Sequence, residues 1–287
     1  MSAPELNAIR RALVAGAVVP YLGPGVLALA PENDALPCLP EMLVKKLVEK
    51  TSVPHKIRNN LTAAAQFIEN FKHRKTLVVS MSEAFGTPAQ PTVLHRLLAE
   101  LTQVPLIVDV WYDNAMATAL GTRSGWGQVQ GVSQSEHFGQ WTLAYHGDGS
   151  AADSAEMEQW DTLLYKPRGG IAPAKNYLVS DTDYVEVLTE IDIQTPIPAA
   201  VQQRRTGRSF LFLGCRFADQ LERTFARQIM KRSSPLHWAV LPEAPTKNEL
   251  RFLKEQNIQR LDVPLAEVVA MLTGMAREAA EARAAMA

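Results

Sequence analysis

The 287-residue sequence predicts an α/β protein with a mostly parallel sheet and helices on both faces. Three observations predict it. Pro105–Trp111 (PLIVDVW), Ser209–Gly214 (SFLFLG) and His237–Leu241 (HWAVL) are apolar runs of the kind that form strands buried on both faces. The last two are each followed by a helical segment. Strands alternating with helices in this way build a parallel sheet.

The remaining elements follow in chain order. Ser2–Glu5 reads S-x-x-E with Pro4 in the first turn, a helix start that puts Leu6, Ile9, Leu13 and Val14 on one face. That helix is expected to end near Gly16, before a buried strand over Ala17–Leu22 and a Gly23-Pro24-Gly25 turn. No charge occurs from Ala12 to Pro31, and Arg10 and Arg11 precede the stretch, which gives it the look of an export signal or a membrane span. Gly16, Pro20, Gly23, Pro24 and Gly25 interrupt it, so the expectation is a soluble cytoplasmic protein. Pro31–Pro40 reads as a loop, and Leu43, Leu47 and Val48 recur at helical spacing after it. Asn60–Phe71 is a further helix, followed by Thr76–Phe85 and, after the break at Thr87–Pro91, a helix carrying Val93, Leu94, Leu97, Leu98 and Leu101. This long helical stretch predicts a partly separate layer. Gln140–Tyr145, Thr162–Lys166 and Tyr177–Ser180 read as strands, and Asp181–Tyr184 opens a helix. The chain is read as one domain over 1–287, with a small lobe inserted at 121–160 and a helical tail at 274–287.

Composition narrows the function. With 47% hydrophobic and 21% charged residues the chain is globular, which excludes disorder, collagen and a disulfide scaffold. Lys+Arg 29 against Asp+Glu 30 gives a net charge of -1, so no nucleic acid or membrane partner is expected from the overall field, although a local basic patch stays open. Cys38 and Cys215 lie far apart with no metal-ligand spacing around them, so no metal is expected and a reducing compartment fits.

In a parallel sheet, ligands sit at the carboxyl ends of strands, where glycine turns let a backbone approach phosphate. Gly23-Pro24-Gly25 and Gly214 stand at two such ends; the plainer reading is that both are turns. Several segments together resemble the SIR2-like family, bacterial relatives of the sirtuins that bind NAD. Val18–Val26 is similar to its first strand and Gly-Ala-Gly phosphate turn, and Pro91–Leu101 to the helix before its Thr-Thr-Asn-Tyr-Asp motif. That motif corresponds to Asp109–Asp113, of which Tyr112 and Asp113 match. Tyr165–Gly169 with Tyr177–Ser180 and Asp183-Tyr184 resembles the Lys-Leu-His-Gly stretch and the helix start after it, and Phe212–Asp219 the Gly-x-Ser-x-x-Asp turn over the adenosine ribose. Asp262–Leu272 matches the family's final strand and helix. The resemblance implies a Rossmann-like, SIR2-type sheet and assigns Gly23, Pro24, Gly25, Trp111, Arg168, Gly214, Arg216 and Asp219 to the NAD cleft.

The departures from the family fall on the reacting positions. Arg168 replaces the histidine that acts as general base, and a guanidinium has no acceptor lone pair and keeps its proton at neutral pH. Trp111 replaces the asparagine that orients ribose and water, Pro24 removes a backbone N–H from the phosphate turn, and Arg216 replaces a small hydroxyl residue. The reading favoured by these changes is a SIR2-like fold that no longer cleaves NAD and needs no cofactor: a protein-binding accessory or regulatory factor. Trp126, Trp141 and Trp160, set among polar and glycine residues, are then candidate partner contacts, or else fill the base of a small lobe. The helical tail is a candidate partner or oligomer contact. The chain is also similar to SIR2-like accessory proteins encoded among bacterial nitrogen-fixation genes, which makes a nitrogenase component a candidate client.

Two alternatives stay open. One is an NAD-consuming hydrolase of the anti-phage type, with His146 or Asp109 supplying the base; the plainer reading of His146 is a loop residue capping a turn, and Asp109 and Asp219 also read as helix caps. The other is a sensor that binds NAD or ADP-ribose through Arg168 and Arg216 without turning it over, unless these arginines pair with acids such as Asp109 and close the cleft.

Overall fold

The computed structural model describes residues 3–193 and 197–284, with side chains described over 5–190 and 197–274. Helix α1 (Ala3–Val14) leads into β1 (Val18–Leu22). Between them Gly16 takes φ 70°, and a Cβ there would lie 2.1 Å from the Gln103 carbonyl oxygen, so the turn needs glycine. A helical layer follows, built from α2 (Pro40–Glu49) and α3 (Leu61–Ala84), which is kinked at His73. Then come α4 (Val93–Glu100), β2 (Leu106–Asp109), α5 (Ala115–Leu120), β3 (Trp126–Gly131), β4 (Thr142–His146), β5 (Ala151–Ala152) and β6 (Thr162–Lys166). The short β7 (Gly169–Gly170) and β8 (Asn176–Tyr177) pair with each other. The chain ends with α6 (Asp181–Ile193), α7 (Ala199–Arg205), β9 (Ser209–Leu213), α8 (Gln220–Met230), β10 (His237–Val240), α9 (Lys247–Glu255), β11 (Ile258–Leu261) and α10 (Leu265–Ala284).

The main sheet has the order β11-β10-β9-β1-β2-β6-β3-β4-β5, parallel from β11 to β3 and antiparallel at β3–β4 and β4–β5. Both faces of its central strands are buried, which explains their unbroken apolar character. Val19, Tyr21, Leu106, Val108, Phe210 and Phe212 join the core beneath α6, α7 and α8, whereas Val18, Leu22, Ile107, Leu211 and Leu213 join the core beneath α1, α4 and α10. A third core, of α2 and α3 with Trp111, Tyr112 and Tyr177, is the separate layer, and it closes over the carboxyl end of β2. Residues 121–160, expected as an inserted lobe, instead extend the same sheet through β3, β4 and β5, because β3 pairs in parallel along β6. Of the expected strand at Tyr177–Ser180 only Tyr177 is extended; Ser180 already receives the Asp183 N–H at the start of α6. The tail expected at 274–287 continues α10 as far as Ala284. No helix among the described residues is long and apolar enough to cross a membrane.

Strand order reverses direction at β1: β2 lies on one side, while β9, reached much later in the chain, lies on the other. In such sheets the loops after the two strands diverge and leave a crevice where ligands bind.

Candidate functional site

At this switch point the two glycine turns lie against each other. The Gly23 N–H donates to the Leu213 carbonyl at 2.9 Å and the Gly25 N–H to the Gly214 carbonyl at 3.0 Å, which extends the β1–β9 ladder past both strand ends. The Val26 N–H turns back to the Gly23 carbonyl at 3.2 Å, and Pro24 has no N–H to give. The turn that would cradle a phosphate therefore has its donors spent internally. Packing is as tight as the bonding. A Cβ on Gly23 would lie 2.6 Å from the Gly214 carbonyl oxygen and 2.7 Å from Cys215 Sγ, and Gly214, at φ 67°, would meet the Val26 nitrogen at 2.6 Å.

Arg168 enters from the far side of the crevice, two residues beyond β6, and is 2% exposed. Its guanidinium donates to Glu222 Oε2 at 2.5 Å and lies over the rings of Tyr184 and Phe225, 5.3 and 5.2 Å from their centroids. Nε has no acceptor among the described residues. Burial disfavours the charge, but Glu222 and the Tyr184 and Tyr21 phenols outweigh it, and the pKa rises well above its ordinary value. A cation in this state offers neither a base nor a free anion contact.

Trp111 is buried between Phe85 and Tyr112 and donates Nε1–H to the Pro37 carbonyl at 2.7 Å. The indole thus ties the loop before α2 down over the end of β2. Asp109 Oδ1 accepts the Trp111 N–H at 3.0 Å, while Oδ2 accepts from Lys166 Nζ at 2.7 Å; Nζ also reaches the Trp111 carbonyl at 2.7 Å. Gly170 leaves room for this buried lysine, since a Cβ there would lie 2.7 Å from Lys166 Cε. Burial raises the Asp109 pKa, against the opposing pull of Lys166. A carboxylate with one partner on each oxygen, buried in the core, is a structural anchor.

Arg216 does not converge with Arg168. Its Nε and one terminal nitrogen each donate to the Glu249 carboxylate at 3.0 Å, and the other terminal nitrogen reaches Glu243 at 2.6 Å. Glu249 is fully buried and also takes the Phe217 and Thr246 N–H groups in the capping box of α9. Burial opposes its ionisation, but these bonds prevail and hold its pKa below the ordinary value. Both arginines thus pair with acids, but with Glu222 and Glu249 and not with Asp109. Asp219 is the exposed N-cap of α8, accepting the Leu221 N–H at 2.6 Å.

His146 lies at the other end of the sheet. It pairs with Gly127 at the amino end of β3, beside Glu156 at 3.4 Å and the Trp160 ring. Trp126 and Trp160 are buried there, the first against Gly147 and the second against Gly127, where a Cβ would lie 2.8 and 2.3 Å from the respective rings. Trp141 is half-buried in a surface cavity of about 460 Å³ shared with Phe138, which is 95% exposed. Among the described residues no group of His, Cys, Asp or Glu is arranged to hold a metal ion.

The structure therefore brings Gly23, Pro24, Gly25, Gly214, Asp109, Trp111 and Arg168 to the carboxyl ends of β1, β2, β6 and β9; Arg216 and Asp219 follow β9 on the same edge but are engaged at the starts of α9 and α8, and His146 lies at the amino end of β3. Lys166, Glu222 and Glu249 were not foreseen. The signals for Lys166 were a charge ending the apolar run Thr-Leu-Leu-Tyr and its place at the lysine of the Lys-Leu-His-Gly stretch. An α/β sheet with a crevice at its switch point is a Rossmann-like architecture. The SIR2-like domain family matches residues 105–261, more than half of the chain, and the chain belongs to that family. No curated protein is similar enough to the chain to give a match.

Proposed function

We propose that this chain is a non-catalytic SIR2-like factor of the bacterial cytoplasm that binds a client protein and does not cleave NAD. The observation that supports this reading is the bonding of the phosphate turn to the β9 loop, with the Gly25 N–H on the Gly214 carbonyl. Arg168 in the place of the family's base, paired with Glu222 and packed on two aromatic rings, points the same way. Exposed Phe138 beside Trp141 is one surface suited to a protein partner. The client suggested by the resemblance is a nitrogenase component.

Incubation of the pure protein with NAD, following nicotinamide, tests the reading. No release is expected, and steady release that scales with protein would overturn it. Thermal melting with NAD or ADP-ribose at millimolar concentration is expected to show no shift; a saturable shift would favour a ligand sensor instead.

A further inference from the structure

Helices α8 and α9 follow the adjacent parallel strands β9 and β10, and a groove of about 320 Å³ runs between them. Arg223 and Arg227 line one wall, Arg251 and Glu255 the other, over Phe252. Beyond the last turn of α8 a second cavity of about 290 Å³ continues it, sharing Arg227 and Glu255 and adding Lys231 and Arg232. Five cations thus line the combined surface against one carboxylate, in a chain whose charges balance overall at 29 to 30.

Arg223 and Arg227 stand four residues apart on one face of α8, a spacing at which like charges repel, and Lys231 is the non-helical residue that ends the helix. Arg223 is fixed by the Phe217 and Ala218 carbonyls at 2.6 Å, which orient its guanidinium without cancelling the charge. The single carboxylate, Glu255, already accepts from Arg251 at 2.7 Å. Among the described residues Arg227 and Arg232 make no ion pair, and both are exposed. Arg168 and Arg216, in contrast, each find a carboxylate.

The shape and charge select the occupant. Eleven residues of α8 make a groove roughly 17 Å long, open along its length, which suits an extended segment more than a small molecule. Phe252 is buried, leaving no aromatic face on which a base would stack, and the net charge of -1 gives no long-range attraction for a nucleic acid. We infer that the α8–α9 groove docks an acidic, extended segment of a partner protein whose carboxylates meet Arg223, Arg227 and Arg251. This rests on the protein-binding reading and gives it a surface and a partner chemistry.

Fluorescence anisotropy of a labelled oligoglutamate peptide, about eight residues long to overspan the groove, tests it with the full chain at low salt. Saturable binding that weakens as salt is added is expected, with a loss of about tenfold or more in Arg227→Glu and Arg251→Glu. Lys56→Glu, an exposed charge reversal outside the groove, should keep wild-type binding. No binding, wild-type binding by the two groove variants, or tighter binding of oligothymidylate of equal charge would overturn the inference. Nicotinamide release by the same variants tests the non-catalytic reading separately, because these substitutions do not touch the crevice.

Discussion

The crevice at the ends of β1, β6 and β9 and the groove between α8 and α9 treat the same residue type in opposite ways. In the crevice, Arg168 is buried, ion-paired and packed against two aromatic rings; in the groove, Arg227 is exposed and makes no ion pair among the described residues. The cost of desolvation explains the difference. An unpaired charge in the core costs several kcal/mol, so a buried arginine survives only with a carboxylate, whereas a surface arginine loses little without one. A motif position therefore says where an arginine stands, and burial decides whether it is available to a ligand.

The largest effect that tests this contrast is expected from Arg168→Ala. It leaves Glu222 without its partner and Tyr184 and Phe225 without the cation packed on both, and should lower the unfolding free energy by about 3–5 kcal/mol in urea titration. A loss below about 1 kcal/mol would mean that Arg168 is not locked in the core.

Next in size is an acid sensitivity belonging to the buried side of the comparison. His95 accepts the Thr92 N–H at 3.1 Å through Nδ1, and burial lowers its pKa to about 4, with smaller effects of Asp109 and Lys166. His237 accepts the Phe210 N–H at 2.9 Å, and burial lowers its pKa to about 4 as well. Both are neutral when folded, and the unfolded chain takes up their protons first, near 6.5. Stability is therefore complete above that pH and falls as the pH drops toward about 4, by about 3 kcal/mol at most for a fully shifted group such as His95. Urea midpoints at neutral and acid pH should show the loss, and His95→Gln, which keeps an acceptor but does not titrate, should reduce it. Equal midpoints for the wild type would contradict the assignment.

Gly23→Ala sharpens the geometry of closure. The added methyl meets the Gly214 carbonyl at 2.6 Å, so a destabilisation of about 1–3 kcal/mol is expected, and a neutral outcome would show that the two turns separate easily. The smallest effect is on the open side: Arg227→Ala should change thermal stability by no more than about 0.5 kcal/mol.

Much of this architecture was legible in the sequence because central strands are buried on both faces. Thr162–Lys166 was delimited by its apolar run, as were the cores of β1, β9 and β10. β3 was not, because Trp-Gly-Gln-Val-Gln-Gly carries two glutamines that look solvent-facing. Both are buried, and each donates to the Ala172 carbonyl, at 2.8 and 2.7 Å. At the site, Arg168 and Trp111 stood out through the residues they replace. Their partners did not, since Glu222 lies 54 residues from Arg168 and Pro37 lies 74 from Trp111. Only the folded chain brings such pairs together. The same limit applied to the phosphate turn: its glycines were evident, but the carbonyls that consume their N–H groups belong to β9 and the loop after it.

The central claim is that this turn is closed by those bonds, and amide hydrogen exchange at Gly25 tests it most directly. The account predicts slow exchange in the free protein, unchanged by ADP-ribose, because the N–H is already held by the Gly214 carbonyl. Fast exchange that slows when ADP-ribose is added would contradict it, since the N–H would then be available to a phosphate.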